Sequence, residues 1–274
     1  MQVMLRVISY NIRYNNPADG VNAWPRRQAR VAGLLRRYEP DLIGLQEVRH
    51  DQLMTLAAAL PEYSWFGVGR DDGAEAGEYA PVFYRHNRFM VQDHGHFWLS
   101  ATPGRVGSFG WDAACVRIAT WVRLTDRRSN VTLLHLNTHL DHHGITAQLE
   151  SVKLLHAFLA DQAATIPAVV TGDFNCTPGS ATYQALTAPS LTSAPTLSDA
   201  MTASVTPHEG PTATFTTDFS NPLQEKIDYI FLSTGLTTET DLMVRHHAIL
   251  ADQTAGRYPS DHLPVLTELV WPQG

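Results

Sequence analysis

The chain alternates between short runs of β-branched and aromatic residues and segments whose apolar positions recur at helical spacing. Runs at Leu5–Tyr10, Leu42–Leu45, Pro81–Tyr84, Cys115–Leu124, Val131–Asn137, Pro167–Thr171, Ile227–Leu232 and Val265–Val270 predict strands. Arg26–Arg37 places Val31, Leu34 and Leu35 on one face and Arg26, Arg30 and Arg37 around the other. Ile145–Leu159 carries Leu149, Val152, Leu155 and Leu159 at the same period, so both segments predict amphipathic helices. The arginine face reads as solvated surface. Strands interleaved with helices imply an α/β protein. No hydrophilic linker divides it before the Thr/Pro/Ser-rich stretch Thr187–Thr214, which reads as surface loop with a candidate edge strand in its tail, Gly210–Phe215. One domain over residues 1–274 is expected.

A second pattern lies on the first: apolar strands end abruptly in side chains able to bind metal or phosphate. Asn11 follows the run through Tyr10, Glu47 follows Leu42–Leu45, His139 ends the run from Leu133, and Asp173 with Asn175 closes the run from Ala168. In α/β sheets such strand ends converge on a common crevice. Singly, each has an ordinary explanation, such as a turn-forming Asn, a helix-starting carboxylate or a satisfied loop His. Asp261 and His262 are adjacent just before the last strand, which suits a carboxylate on a hard cation and an imidazole facing substrate. Asp228 sits in an apolar strand and, being costly to bury alone, calls for a histidine or a cation as partner.

Composition narrows the function classes. With 44% hydrophobic and 17% charged residues the chain can bury a large core. No run approaches the roughly 20 apolar residues of a membrane span, so a cytoplasmic protein is expected. Cys115 and Cys176 are far apart and lack metal-type spacing, which argues against a disulfide framework and a thiolate site. A net charge of −7 weighs against salt-driven duplex binding through a basic surface, without excluding a nuclease. Lys153 and Lys226 are the only lysines; arginine suits bidentate phosphate contacts, although compositional bias is the plainer explanation.

Six motifs in order, Ser9-Tyr10-Asn11, Leu45-Gln46-Glu47, Asn137-Thr138-His139, Gly172-Asp173-Phe174-Asn175, Ile227-Asp228-Tyr229 and Ser260-Asp261-His262, resemble those of the endonuclease/exonuclease/phosphatase superfamily. The resemblance covers essentially the whole chain. It implies a four-layer α/β sandwich, two packed mainly antiparallel or mixed β-sheets flanked by helices. It also implies a Mg²⁺- or Mn²⁺-dependent phosphoesterase with Glu47 as main metal carboxylate, helped by Asn11 and Asp261. Asp173 resembles the residue that positions or deprotonates the attacking water, and Asn175 one that orients substrate or a second metal. By the same resemblance His262, held by Asp228, stabilises developing charge, and His139 contacts a phosphate oxygen or the leaving group. Glu78 and Tyr79 match a region supplying a polar contact near the phosphate, and Arg117 is a further phosphate candidate beside the reading of a salt-bridged strand arginine. Arg13 stands where DNA-repair members carry an acid, which weighs against abasic-site repair.

Phe97 and Trp98 read as core, whereas Trp111, in a glycine-rich turn with Phe109 nearby, is a candidate for stacking on a base. The loop Arg70-Asp71-Asp72-Gly73 reads equally as a rim of the cleft and as a solvated turn. The expected substrate is a single-stranded nucleic acid or a small phosphodiester, with a phosphomonoester such as a sugar or inositol phosphate as the alternative; no protein partner is indicated. Two rivals are weighed. Asn137-Thr138-His139-Leu140-Asp141-His142 matches a dizinc hydrolase pattern except at its first ligand, and leaves Asp261, His262, Asp173 and Asn175 without a role. A non-catalytic binding module would not keep this many clustered carboxylates, which repel one another without a cation.

Overall fold

In a computed structural model of the protein, residues 4–189, 195–234 and 242–271 are described. In chain order the elements are β1 (Met4–Asn11), a 3-10 turn (Pro17–Asn22), α1 (Trp24–Tyr38), β2 (Leu42–Gln46), α2 (His50–Ala59), β3 (Tyr63–Phe66), β4 (Val82–Arg85) and β5 (Phe89–Trp98). There follow β6 (Ile118–Asp126), β7 (Thr132–His139), α3 (Ile145–Gln162), β8 (Ala168–Asp173), α4 (Ala181–Thr187), β9 (Thr196–Asp199), α5 (Ala200–Ala203), β10 (Asp228–Thr234), β11 (Met243–Ile249) and β12 (Val265–Val270). One six-stranded sheet has the order β11-β12-β1-β2-β4-β3 and the other β5-β6-β7-β8-β10-β9. Each is antiparallel but for one parallel pair, β1 with β2 and β7 with β8.

Alternation along the strands builds the layers. Leu5, Val7, Leu42 and Val82 meet Val122, Leu124, Leu133, Val169, Ile230 and Leu232 between the sheets. The intervening residues Ile8, Tyr10, Ile43 and Leu45 face outward against Val31, Leu34 and Leu35 of α1 and Leu53 and Leu56 of α2. On the other side Leu134, Leu136, Val170 and Phe231 pack on Val152, Leu155 and Leu159 of α3 and Leu186 of α4. The result is the expected sandwich of two mixed sheets flanked by helices. Among the described residues no helix is long and apolar enough to cross a membrane.

The sheets are also joined by polar contacts. Arg88 is fully buried and bridges Asp41, at the entry to β2, to Asp126, at the end of β6, at 2.7 and 2.6 Å. Nearer the strand ends, Asn137 donates to the carbonyls of Leu45 (2.7 Å) and Pro81 (3.0 Å) and accepts from Gln46 Nε2 (2.7 Å) and Thr171 Oγ1 (2.9 Å). Gly44 makes this closeness possible: a Cβ there would stand 2.0 Å from Thr171 Oγ1 and 2.5 Å from Asn137 Oδ1.

Three expectations change. Cys115–Arg117 precede β6 rather than opening it, because Asp141 Oδ2 takes the amides of Ala114 and Cys115 (2.9 and 3.3 Å) and holds them in a loop. The Thr187–Thr214 stretch contains β9 and α5, while its residues 190–194 lie outside the described residues. Gly210–Phe215 makes no edge strand; its neighbourhood has only isolated bridges, Glu209 to Ala248 and Phe215 to His262.

Candidate active site

The inward rows of four strands turn polar toward one end of the sandwich. On β1 the row runs Leu5, Val7, Ser9, Asn11; on β7 Leu133, His135, Asn137, His139; on β8 Val169, Thr171, Asp173; on β10 it reaches Asp228 from Leu232 and Ile230. Register places His139 and Asp228 on either side of Asp173 across the sheet. The opposite sheet supplies Asn11 and, just past β2, Glu47, while the turn before β12 supplies Asp261 and His262. Arg27 shapes the facing loop: the one buried arginine of α1, it donates to the carbonyls of Ile12, Arg13, Tyr14 and Asn22.

Asp173 is the hub. Asn11 Nδ2 donates to Asp173 Oδ2 at 2.9 Å and to Glu47 Oε1 at 3.1 Å, and the Asn175 amide donates to Asp173 Oδ1 at 3.0 Å. Burial, then the charge of Asp228, pushes the Asp173 carboxyl up to about 7, where it can accept a proton from water near neutrality. His262 Nδ1 lies 2.9 Å from Asp228 Oδ2, and its Nε2 lies 3.8 Å from Asp173 Oδ2. Burial opposes the charged ring, but Asp228, Asp173 and Asp261 together outweigh it and raise its pKa well above the ordinary histidine value. Asp228 and a histidine are thus paired, as the buried carboxylate required.

His139 has the opposite character. Burial, and then the charges of Arg117 and Arg70, hold it well below the ordinary range. Its Nε2 stands 3.0 Å from the Asn175 amide nitrogen, which also donates to the Leu140 carbonyl. A neutral ring accepting from Asn175 satisfies both observations, so its 3.4 Å approach to Asp173 is no ion pair. One histidine is therefore cationic and the other neutral, with the same carboxylate between them.

Arg13, Tyr14, Glu47, Arg70, Glu78, Arg117, His139, Asp173, Asn175, Asp261 and His262 line one cleft of about 480 Å³. Glu78 reaches it, but its carboxylate is gripped by Arg70 at 2.6 and 3.2 Å, so it orients a guanidinium instead of standing free. Arg117 Nη2 contacts His142 Nδ1 at 3.0 Å, bringing His142 into the cleft wall. Tyr79 is buried beside Glu78 and lines the small recess at the Arg70, Arg117 and His139 end of the cleft, its hydroxyl donating to Ala74 O and meeting His50 Nδ1. Trp111 is exposed and lies outside the cleft lining. Trp98 is core, as expected, and its indole donates to Arg70 O, fixing the Arg70 backbone. Arg70 lines the cleft, in keeping with the rim reading of its loop, and His142, weighed only in the dizinc pattern, joins it; Tyr14, Phe215 and Glu225 line it without a sequence signal of their own, since each lies in a loop that only folding brings here.

The residues fit a hard divalent cation at Glu47 and Asp261. Both are cleft carboxylates, and the negative charge of Glu47, after burial itself, raises the Asp261 pKa, so the two repel where a cation would relieve them. The Asn11 side-chain nitrogen spans Glu47 and Asp173, and its oxygen accepts from Arg13 N at 2.9 Å. Asp173, Asp228 and His262 also bring ligand atoms within 4.8 Å of one another. A protonated His262, however, offers no lone pair, and the trio reads as a hydrogen-bonded Asp228–His262 pair with Asp173 3.8 Å beyond the ring. Asp141, needed by the dizinc pattern, is instead filled by the backbone amides of Ala114, Cys115, His143 and Gly144.

A model of the Endonuclease/Exonuclease/phosphatase family matches residues 8–262, and the chain belongs to that family. The endonuclease/exonuclease/phosphatase from Bacteroides vulgatus is 38% identical with a TM-score of 0.90, over 99% of this chain and 100% of that one. A mannosyl-6-phosphatase of Bacteroides thetaiotaomicron is 33% identical with a TM-score of 0.88, over 97% and 100%. Nocturnin of Mus musculus is 24% identical over 96% of this chain and 65% of that protein. The chain spans less than two thirds of the length of the curated relatives it matches. The family's members are phosphoesterase and nuclease hydrolases that depend on a divalent metal.

Proposed function

We propose that this protein is a Mg²⁺- or Mn²⁺-dependent phosphomonoesterase acting on a small hydroxylated phosphate ester, a hexose phosphate being the type. The observation that carries the reading is the cationic end of the cleft, where Arg70 and Arg117 stand beside His139. A monoester carries up to two negative charges where a diester carries one; Arg117, Arg70 oriented by Glu78 and, further along the cleft, the His262 imidazolium supply cationic groups for the larger charge. The mannosyl-6-phosphatase, aligned over 97% of this chain and 100% of that one, supports the same choice. A cleft of about 480 Å³ accommodates a sugar phosphate.

In this mechanism the phosphate lies against Arg70 and Arg117, beside the neutral His139 ring that Asn175 holds. Asp173 takes the proton of the water whose oxygen bonds to phosphorus, the P–O bond to the sugar breaks and the departing oxygen is protonated from solvent, and the His262 imidazolium, held by Asp228, stabilises the charge that builds on the phosphoryl oxygens. A cation on Glu47 and Asp261 supplies Lewis-acid polarisation when bound. The phosphodiester reading expected from sequence stays second, favoured by the aromatic rings of Tyr14 and Phe215 in the cleft, which could stack on a base.

The test is phosphate release from mannose 6-phosphate, glucose 6-phosphate and phenyl phosphate, set against cleavage of a bis-aryl phosphodiester and single-stranded DNA. Protein is first chelated and then given Mg²⁺, Mn²⁺ or Zn²⁺. Monoester turnover restored by Mg²⁺ or Mn²⁺ is expected. Cleavage confined to diesters would transfer the assignment to the second reading, and restoration by Zn²⁺ alone would contradict the metal assignment.

A further inference from the structure

The two ends of the cleft differ in chemistry. The order β6-β7-β8-β10 sets Arg117 (just before β6), His139, Asp173 and Asp228 in a row. With strands spaced about 4.8 Å apart, the far end of that row lies some three spacings from Arg117. At that end the lining changes to Ile227, Phe215 and Glu225, with no guanidinium among them. Glu225 is exposed, and among the described residues no ion pair reaches its carboxylate.

Phe215 and Glu225 are held firmly. Phe215 pairs with His262 in an antiparallel bridge flanked by Leu263 N to Thr214 O (2.7 Å) and Thr216 N to Asp261 O (2.8 Å). Across from it, the amides of Thr214 and Phe215 both donate to Glu225 O, at 2.8 and 3.0 Å, and Gln224 N donates back to Phe215 O at 2.8 Å. The backbone that carries the reacting histidine thus also carries this wall, and the Phe215 ring lies 5.0 Å from that of His262. A free carboxylate at this position repels a phosphate and accepts hydrogen bonds from hydroxyl groups.

We propose that Phe215, Ile227 and Glu225 form the seat for the uncharged, polyhydroxylated part of the substrate: the ring and Ile227 pack on its C–H face, and the carboxylate accepts hydrogen bonds from its hydroxyls. This rests on the phosphomonoesterase reading and deepens it. The seat makes binding directional, because the same carboxylate that receives hydroxyls excludes the phosphate from that end and sends it toward Arg70 and Arg117. Specificity then comes from Glu225, since a site built to bond hydroxyls discriminates strongly against an ester lacking them.

The experiment compares kcat/KM for mannose 6-phosphate with that for phenyl phosphate in wild type, Glu225→Ala, Glu225→Gln and Phe215→Leu. The sugar-to-aryl ratio is expected to fall roughly 10-fold or more in Glu225→Ala, mainly through a higher KM for the sugar phosphate, and by less in Glu225→Gln, which keeps one acceptor. Phe215→Leu, which keeps apolar volume beside His262, should lower the same ratio. Glu225 engages the fold only through its backbone, so folding of its variants is not in question. A ratio unchanged in Glu225→Ala, whether both activities drop together or neither moves, overturns the seat while wild-type monoester turnover leaves the phosphomonoesterase reading standing. Wild-type protein silent on both monoesters but active on a bis-aryl diester overturns that reading, and the seat with it.

Discussion

Glu47 and Asn175 hold left-handed backbone angles, φ 59° and 47°, directly after the parallel strands β2 and β8. Non-glycine residues are seldom found there, and the strain is tolerated where the surroundings fix the side chain for a task. For Glu47 those surroundings are explicit: Oε1 accepts from Asn11 and Oε2 from Tyr14 N at 3.1 Å. Burial opposes its ionisation, but His262, these hydrogen bonds and Arg13 together hold its pKa below the usual value, so it stays a carboxylate. Glu47→Gln keeps the shape and removes the charge. Calorimetric Mn²⁺ titration should then show affinity lowered by about 10-fold or more; unchanged affinity would remove Glu47 as a ligand. At this scale the sequence was informative wherever a residue's cost demanded a partner, as with Asp228 and His262. It was silent on Arg27, whose place among the other arginines of α1 gives no hint that it buries itself against five backbone carbonyls.

The central strands were legible because their outward rows are apolar and their inward rows pass from apolar to functional at one end. β5 and β11 were missed for the converse reason. Both lie at sheet edges, where rows such as Gln92, Asp93 and His94 face solvent and no apolar periodicity is needed. α4 and α5 are too short for a helical period to show. Between the elements, the Asn137 network fixes how β7 and β8 sit on β2 and therefore how the two halves of the site meet. Asn137→Ala leaves Gln46 Nε2, the Leu45 and Pro81 carbonyls and Thr171 Oγ1 short of a partner. The expected cost is about 3 kcal/mol or more of unfolding free energy in urea. A change below roughly 0.5 kcal/mol would show that the network does not set the sheet packing.

For the molecule as a whole, two buried histidines tie stability to pH. Burial lowers the pKa of His135 to about 3, and burial with the charges of Lys226, His208 and His246 does the same for His247. The unfolded chain binds these protons near pH 6.5 and the folded one does not, so the contribution is complete above that value and is lost as pH falls toward 3. Each group should remove about 2 kcal/mol between pH 7 and 5, and His135→Gln should lose about that much less than wild type over the same interval. Equal losses in the two proteins would place the proton elsewhere. The site likewise belongs to the whole sandwich: Glu47 and Asp261 come with one sheet, Asp173, Asn175 and His139 with the other, and neither half is complete alone. The most direct measurement is therefore the steady-state kinetics and Mn²⁺ affinity of Asp173→Asn beside wild type. A turnover number lowered by about 100-fold or more, with Mn²⁺ affinity largely intact, is the expected result. Near-normal turnover would contradict the assignment of Asp173 as the group that takes the proton of the attacking water.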